Sequence, residues 1–233
     1  MQRFAKYLIS LLCLCEVSCI LAGLKTALLI VESNFEEIQL VTILDVLSRA
    51  GFLVTLARLP ESTSTVIGAH GLSVNVNHTL PNASVTLCDV LILTATAQSY
   101  GSLISCPALT RVLHEYEEAN RTIAALDCAQ VVLAYHSIYM GKNITVNPTV
   151  QAQLEYKYEL KGGSIVVDMP LISARSTLDS FNFSLVIVSQ LISEEMASSL
   201  LRGFFPRSNS CLPQTMTSVL LFSFVSSYIA RMG

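Results

Sequence analysis

The side chains best suited to chemistry follow an apolar segment near the middle of the chain. Asp127 and Cys128 come directly after the run Thr122–Leu126. A cysteine attacks as the thiolate, because the protonated thiol is a poor nucleophile. Which of these two neighbours occupies the turn after the strand therefore decides the chemistry that this part of the molecule can support.

The sequence contains no pattern typical of a metal site or of a nucleic-acid-binding surface. The chain has 233 residues and a formal net charge of -3, without a basic block of the kind that contacts nucleic acid. No Cys/His spacing is typical of a zinc site. We therefore expect no metal, no cofactor and no nucleic-acid partner. The histidines are scattered over the chain at His70, His78, His114 and His136.

Five asparagines stand in Asn-X-Ser/Thr sequons, which accept N-linked glycans in the secretory pathway. One sequon is weak evidence because Ser and Thr are common, but a set of five in a short chain favours a glycoprotein. The candidate sites are Asn77, Asn82, Asn120, Asn143 and Asn182.

Both ends of the chain have the pattern of processing signals. Residues 1–23 combine a positive start, a short apolar run and small residues, the pattern of a secretory signal peptide, with a buried strand or membrane anchor as alternatives. In residues 207–233, small residues at Ser208, Asn209 and Ser210 precede an apolar tail. This arrangement predicts a lipid-anchor (GPI) signal, with a short transmembrane tail or a packing helix as alternatives.

Three cysteines remain between these two segments: Cys88, Cys106 and Cys128. If a disulfide forms, Cys88 with Cys106 is the preferred pair, although the sequence does not fix connectivity. The alternative is three buried thiols.

The intervening residues 24–206 alternate between strand-like and helix-like patterns. Thr26–Val31 is an apolar run suited to a buried parallel strand, followed by an amphipathic helix that Asn34 and Glu37 would cap and Gly51 would end. Further strands are predicted at Phe52–Ala57, near Leu72–Val76, at Asp89–Leu93, Thr122–Leu126, Ile144–Val146 and Ser164–Val167. Further helices are predicted at Pro107–Ala119, Cys128–His136, on an apolar face of Leu178, Phe181, Leu185, Val188 and Ile192, and at Ser193–Gly203. This order predicts a single doubly wound α/β domain with a mostly parallel sheet between helices.

Several strings in this order resemble the parkinsonism-associated deglycase family, the PfpI branch of the class I glutamine amidotransferase-like, flavodoxin-like fold. They are TALLIVESNFEEIQLVTILDVLSRAGFLVTLA, CDVLILTAT, TIAALDCAQVVLAYHSIYMG, ITVNP and DSFNFSLVIVSQL. The resemblance implies a cysteine nucleophile on a strand-to-helix elbow, a nearby glutamate, a glycine-rich oxyanion loop and a histidine before proline.

At these matched positions the chain departs from the family pattern. The match places Asp127 at the elbow and Cys128 one residue later, where its side chain is rotated by about 100° on the helix. Gln39 stands in the place of the glutamate. A glutamate beside an ionised Asp127 would be repelled by it. Gln39 is neutral, and we expect its amide to donate a hydrogen bond to the Asp127 carboxylate. Independent drift of both positions after loss of activity is the alternative.

The oxyanion loop and the histidine position also depart from the family pattern. Ala95 and Thr96 replace residues of the glycine loop, and Asn147 replaces the histidine before Pro148. Glu36 and Glu37 are retained, and their place in the first turn of a helix accounts for them.

The resulting expectation is a secreted or GPI-anchored, catalytically degenerate member of the family that acts outside the cell as a binding or interaction module. The alternative is an active glyoxalase, deglycase or peptidase-like hydrolase that uses Cys128. A hydrolase based on Asp127 is a third hypothesis. The resemblance also implies a homodimer, whereas the extracellular partner is not identified by the sequence.

Overall fold

The computed structural model describes residues 23–80 and 87–205. Almost all of the predicted signal peptide, the sequon at Asn82, and the predicted anchor with Ser208, Asn209 and Ser210 lie outside the described residues. No helix in the described ranges is both long enough and apolar enough to cross a lipid bilayer.

A seven-stranded sheet forms the centre of the fold. Its strand order is β10-β11-β7-β6-β1-β2-β5, and every neighbouring pair is parallel except β10 with β11. These strands are β1 (Thr26–Val31), β2 (Leu53–Arg58), β5 (His78–Thr79), β6 (Val90–Ala95), β7 (Thr122–Asp127), β10 (Ile165–Asp168) and β11 (Leu171–Ala174). Two small ladders lie beside it, an antiparallel hairpin of β3 (Thr65–Ile67) and β4 (Ser73–Asn75), and the parallel pair β8 (Asn143–Ile144) and β9 (Glu159–Leu160).

Helices cover both faces of the sheet. They are α1 (Glu37–Arg49), α2 (Tyr100–Ile104), α3 (Pro107–Glu118), α4 (Ala129–Tyr135), α5 (Ser180–Leu191) and α6 (Glu194–Phe204), with 3₁₀ segments at Pro148–Gln153 and Thr177–Asp179. Because successive side chains of a strand point to opposite faces, Leu28 and Ile30 of β1 join a core with α3 and α4. Ala27, Leu29 and Val31 join a second core with α1 and α5.

The predicted architecture is therefore confirmed: a doubly wound, mostly parallel sheet between two helical layers. One interior strand was not predicted. Leu171–Ala174 is short and follows Pro170, yet it lies between β10 and β7, one strand in from the edge of the sheet. A four-residue segment carries too little periodicity to be recognised without its partners.

The predicted cap of α1 is wrong. Asn34 lies in the left-handed region (φ 62°), whereas an N-cap residue has extended backbone. Glu36 takes the N-cap position without a side-chain hydrogen bond, and the Glu37 carboxylate accepts from His70 instead.

The predicted apolar face of α5 is only partly right. Leu185 and Val188 are buried, but Leu178 precedes the helix and is 87% exposed. Phe183 and Ile187 complete the buried stripe. The sequence is apolar around most of the helix, so its periodicity does not select one face.

The described residues up to Leu200 belong to one compact unit, and the described residues 201–205, at the end of α6, belong to a second unit.

Candidate functional site

The turn between β7 and α4 holds Asp127 in an unusual backbone conformation. Its φ is +65°, a left-handed value that Asp tolerates better than most residues. The Cys128 N–H donates to the Ala95 carbonyl at 3.0 Å, which joins this turn to the end of β6. The carboxylate of Asp127 therefore occupies the elbow at the carboxyl edge of the sheet, as the sequence predicted.

Two side-chain amides hold this carboxylate. Gln39 Nε2 donates to Asp127 Oδ2 at 3.1 Å, and Asn147 Nδ2 donates to Asp127 Oδ1 at 2.6 Å. The orientation of Asn147 is fixed, because its Oδ1 accepts from the Thr149 backbone N–H at 3.0 Å. The expected contact between Gln39 and Asp127 is thus present, and Asn147 shares the same carboxylate.

Gln39 itself is fully buried, and its amide is only partly satisfied. Its Nε2 also donates to Thr177 Oγ1 at 2.9 Å, which links α1 to the segment before α5. Its Oε1 is buried and meets no donor among the described residues. The donor hydrogens of this glutamine are therefore committed to Asp127 and Thr177.

The thiol of Cys128 is removed from solvent. Its side chain belongs to the core on the α3 and α4 side, and the residue is 3% exposed. Burial, and next the charge of Asp127, raise the pKa of this thiol to about 12. Its Sγ lies 3.7 Å from Asp127 Oδ1 and donates to that carboxylate. As expected from the one-residue offset, the sulfur does not occupy the elbow position.

In the loop after β6, backbone N–H groups form hydrogen bonds within the loop itself. The Thr96 N–H donates to Ser99 Oγ at 2.9 Å, while the N–H groups of Gln98 and Ser99 reach Thr96 Oγ1 at 3.2 Å. An oxyanion site requires backbone amides that point at the substrate. These amides are instead bonded to hydroxyl groups of the same turn.

A buried glutamine behind the elbow was not predicted from the sequence. Gln130 is 0% exposed, and its Nε2 donates to the carbonyls of Ala125, Thr145 and Ala174 at 3.2, 3.3 and 2.8 Å. These carbonyls belong to β7, the segment after β8, and β11. The side chain thus joins the elements that carry Asp127 and Asn147, and no local motif indicates such long-range contacts.

A second polar cluster lies at the start of α1. His70 donates its backbone N–H to Glu37 Oε1 at 2.6 Å, and its Nδ1 lies 2.8 Å from Glu37 Oε2. This hydrogen bond lowers the pKa of Glu37 to about 2 and raises the pKa of His70.

Glu36 completes the cluster, and these three side chains bring potential metal-binding atoms within 4.8 Å of one another. A cation there would replace the bond between His70 and Glu37 at the positive end of a helix. Glu37 therefore has a partner beyond the first-turn role predicted for it, and no motif in the sequence indicated His70.

The disulfide between Cys88 and Cys106 is not formed. The Cys88 N–H donates to Tyr116 Oη near the end of α3, whereas Cys106 is the N-cap of the same helix. Both residues pack at the core on the α3 side, Cys106 as a buried member and Cys88 partly buried against it.

The described sequons differ in accessibility. Asn77 and Asn120 are exposed. Asn143 is half-buried, and its Nδ2 donates to Asp168 Oδ2 at 2.8 Å. Asn182 is half-buried within α5. The structure thus separates two open sites from two partly covered ones.

Comparison with known proteins gives consistent matches over the described fold. The sequence profile of the DJ-1/PfpI family matches residues 25–190. Protein DJ-1alpha of Drosophila melanogaster is 32% identical over 188 residues, covering 77% of this chain and 83% of that protein. Protein dj-1beta of the same organism is 27% identical over 180 residues, covering 77% and 96%.

A solved structure supports the same relationship. The crystal structure of Drosophila melanogaster DJ-1beta superposes with a TM-score of 0.75 at 26% sequence identity, and covers 79% of this chain and 100% of that one. A DJ-1 superfamily protein from Salmonella typhimurium is similar in fold, with a TM-score of 0.73 at 21% identity and the same shares of both chains covered.

Proposed function

This chain belongs to the DJ-1/PfpI family, and from that membership we propose that it is a catalytically degenerate member acting as a binding or interaction module. The observation that carries the proposal is the carboxylate of Asp127 at the elbow, held by the amides of Gln39 and Asn147. The thiol chemistry that the resemblance implies needs three groups, and each supports the proposal separately: the nucleophile, the oxyanion site and the base.

The nucleophile position argues against thiol chemistry. The family resemblance calls for a thiolate at the elbow, and a carboxylate there cannot perform the same reaction. The neighbouring thiol of Cys128 is buried, and its pKa is raised to about 12, so almost none of it is ionised near neutral pH. Moving that sulfur to the elbow would require a shift of one residue in a turn that is bonded to Ala95.

The groups that would assist a thiolate are also replaced. The amides of Thr96, Gln98 and Ser99 bond within their own turn and do not converge on a reacting oxygen. Asn147 has no titratable nitrogen, so it cannot act as the general base that the resemblance expects there. Each replacement disfavours the alternative of an active glyoxalase, deglycase or peptidase-like hydrolase.

A turnover assay tests the proposal. The purified protein is incubated with methylglyoxal, and the loss of the substrate is followed against the spontaneous rate. We expect no enzymatic rate and no difference between the wild-type protein and Cys128→Ser. A wild-type rate that disappears in Cys128→Ser would establish the thiol enzyme and end the proposal.

A matched variant shows whether the fold could support the reaction. In the triple variant Asp127→Cys, Gln39→Glu and Asn147→His, the three side chains take the types that the resemblance implies. A rate in this variant, absent from the wild type, would attribute the loss of activity to these positions. The third hypothesis, a hydrolase based on Asp127, is tested separately by comparing the hydrolysis of a chromogenic ester by the wild-type protein and by Asp127→Asn.

We also propose that the protein enters the secretory pathway and is either held on the outer face of the plasma membrane by a lipid anchor or secreted. The support comes from residues 1–23 and 207–233 and from the exposure of Asn77 and Asn120. Treatment of cells with a phosphatidylinositol-specific phospholipase should release the protein. Retention with an intact tail, measured by mass spectrometry, would contradict the anchor.

Self-association is the remaining part of the proposal. The family resemblance implies a homodimer, and the glycans could block such a surface. Light scattering on the glycosylated and enzymatically deglycosylated protein distinguishes the two outcomes. We expect a dimer in at least the deglycosylated form, and a monomer in both forms would contradict it.

A further inference from the structure

A pocket of about 270 Å³ lies next to the candidate site, between the 3₁₀ segment Pro148–Gln153 and the turn at Gly162. Its volume is somewhat below the range of pockets that enclose drug-sized ligands, so it suits a small one. Its walls are shared with the elements of the site: Val146 and Pro148 flank Asn147, and Arg175 precedes Thr177 by two residues. The lining residues are Thr145, Val146, Pro148, Gln151, Leu160, Lys161, Gly162 and Arg175.

The charged residues that line this pocket are all positive. Lys161 and Arg175 both line it, and no Asp or Glu is among its lining residues. Each side chain is exposed, and neither forms an ion pair with any residue that the structure describes. By contrast, Lys142 is paired with Asp168 at 2.9 Å on the neighbouring ladder. Two positively charged residues therefore line the pocket without a neutralising partner in the described chain.

Backbone hydrogen bonds hold the main chain at Lys161 and at Arg175. The Lys161 N–H donates to the Ile144 carbonyl at 2.8 Å, and the Arg175 N–H donates to the Ser164 carbonyl at 2.9 Å. The hydroxyl of Thr145 donates to the Gly163 carbonyl and holds the turn between them. The backbones that carry the two positive side chains are thus both held by hydrogen bonds to neighbouring segments.

We propose that this pocket binds a tetrahedral oxyanion, a phosphate or sulfate group. A guanidinium presents two parallel N–H donors to such a group, and an ammonium adds a point charge beside it. The apolar side chains of Val146, Pro148 and Leu160 form part of the wall, which suits an anionic group carried on a small molecule. The Asp127 carboxylate takes no part, so this site is separate from the loss of thiol chemistry.

Thermal unfolding of the full chain in inorganic phosphate or inorganic sulfate tests the proposal, with chloride at the same ionic strength as the reference. A ligand that binds only the folded state raises Tm, and above its dissociation constant the rise grows with the logarithm of its concentration. We expect this rise with at least one of the two anions, and the one that acts at lower concentration is the preferred ligand chemistry.

Charge-removing variants then locate the binding. Arg175→Gln and Lys161→Gln should each weaken the apparent affinity by roughly fivefold or more, since a charge-assisted contact is lost. Arg111→Gln is the matched control, because Arg111 is an exposed arginine on α3 that does not line the pocket. Its affinity should equal that of the wild type.

Two results would overturn the proposal: no rise in Tm above chloride with either anion, or an equal rise in the wild type and both pocket variants. If one pocket variant does not fold, the other decides. The result is independent of the methylglyoxal assay, because Lys161 and Arg175 are outside the cluster around Asp127.

Discussion

Asp127 combines a strained backbone with a well-bonded side chain. A left-handed φ costs a residue with a Cβ about 1 kcal/mol or more, although Asp is among the residues that accept it best. The two amide donors on its carboxylate fix the side chain in return. At the scale of a single residue, the site is therefore built to hold an acceptor in place, and the neighbouring thiol is directed into the core.

The inertness of Cys128 is the prediction at this scale. Because the pKa of its thiol is raised to about 12 and the residue is 3% exposed, alkylation of the folded protein should be slow. We expect iodoacetamide to label it at least about a hundredfold more slowly than in the unfolded chain at mildly alkaline pH. Peptide mass spectrometry of timed samples measures both rates, and the denatured protein is the control. Labelling at equal rates would mean that the sulfur is accessible.

Between elements, single polar side chains connect segments that are distant in the sequence. Gln130 of α4 contacts three carbonyls on three different segments. His70, in the loop between β3 and β4, contacts Glu37 at the start of α1, 33 residues earlier. Gln39 reaches from α1 to both Asp127 and Thr177. The geometry of the site depends on these connections as well as on the sheet.

Removing the Gln130 amide should destabilise the fold measurably. Gln130→Leu keeps a similar volume but leaves three buried carbonyls with one donor fewer, and the expected loss is about 2–4 kcal/mol in the free energy of unfolding. Urea unfolding followed by circular dichroism measures it. Gln98→Leu, at an exposed position, is the control and should change stability by no more than about 0.5 kcal/mol. A similarly small change in Gln130→Leu would show that these contacts do not stabilise the protein.

The pairing of His70 with Glu37 predicts a pH window of extra stability. Because the pKa of His70 is raised, its contribution is complete below the ordinary histidine value of 6.5 and is lost as the pH rises through the raised value. Because the pKa of Glu37 is lowered to about 2, its contribution is complete above the ordinary value of 4.5 and is lost as the pH falls toward 2. The pair therefore stabilises the protein most between these two ordinary values.

His70→Gln should accordingly unfold at lower urea concentration than the wild type inside this window. The difference should shrink at a pH well above the raised pKa of His70. His78→Gln, at another exposed histidine without an ion pair in the described chain, is the matched control. An equal deficit of His70→Gln at every pH would contradict an ionic contribution.

At the scale of the whole molecule, the fold leaves some sequon asparagines exposed and partly covers others. Asn77 and Asn120 are exposed, whereas the amide of Asn143 bonds to Asp168 in a half-buried position. If the protein passes through the secretory pathway, the open sites can carry glycans without disturbing the sheet or its helices. A glycan on Asn143 would compete with the contact to Asp168.

Glycan occupancy is therefore expected to be uneven. In protein from secretory cells, treatment with N-glycosidase should reduce the mass, and Asn77→Gln and Asn120→Gln should each remove one glycan. Asn143→Gln should leave the mass of the glycans unchanged. Intact and peptide mass spectrometry measures this pattern. An unmodified chain would contradict the proposed location, and a fully occupied Asn143 would contradict the structural ranking.

The sequence by itself determined the layered α/β fold and the side chain at the elbow. Long apolar runs predict buried parallel strands locally, and the family strings align Asp127, Gln39, Ala95, Thr96 and Asn147 at matched positions. The tertiary structure decided the place of β11, the partners of Gln130 and His70, the absence of a disulfide between Cys88 and Cys106, and the pocket lined by Lys161 and Arg175. Each of these depends on contacts between residues far apart in the chain, which a local pattern does not contain.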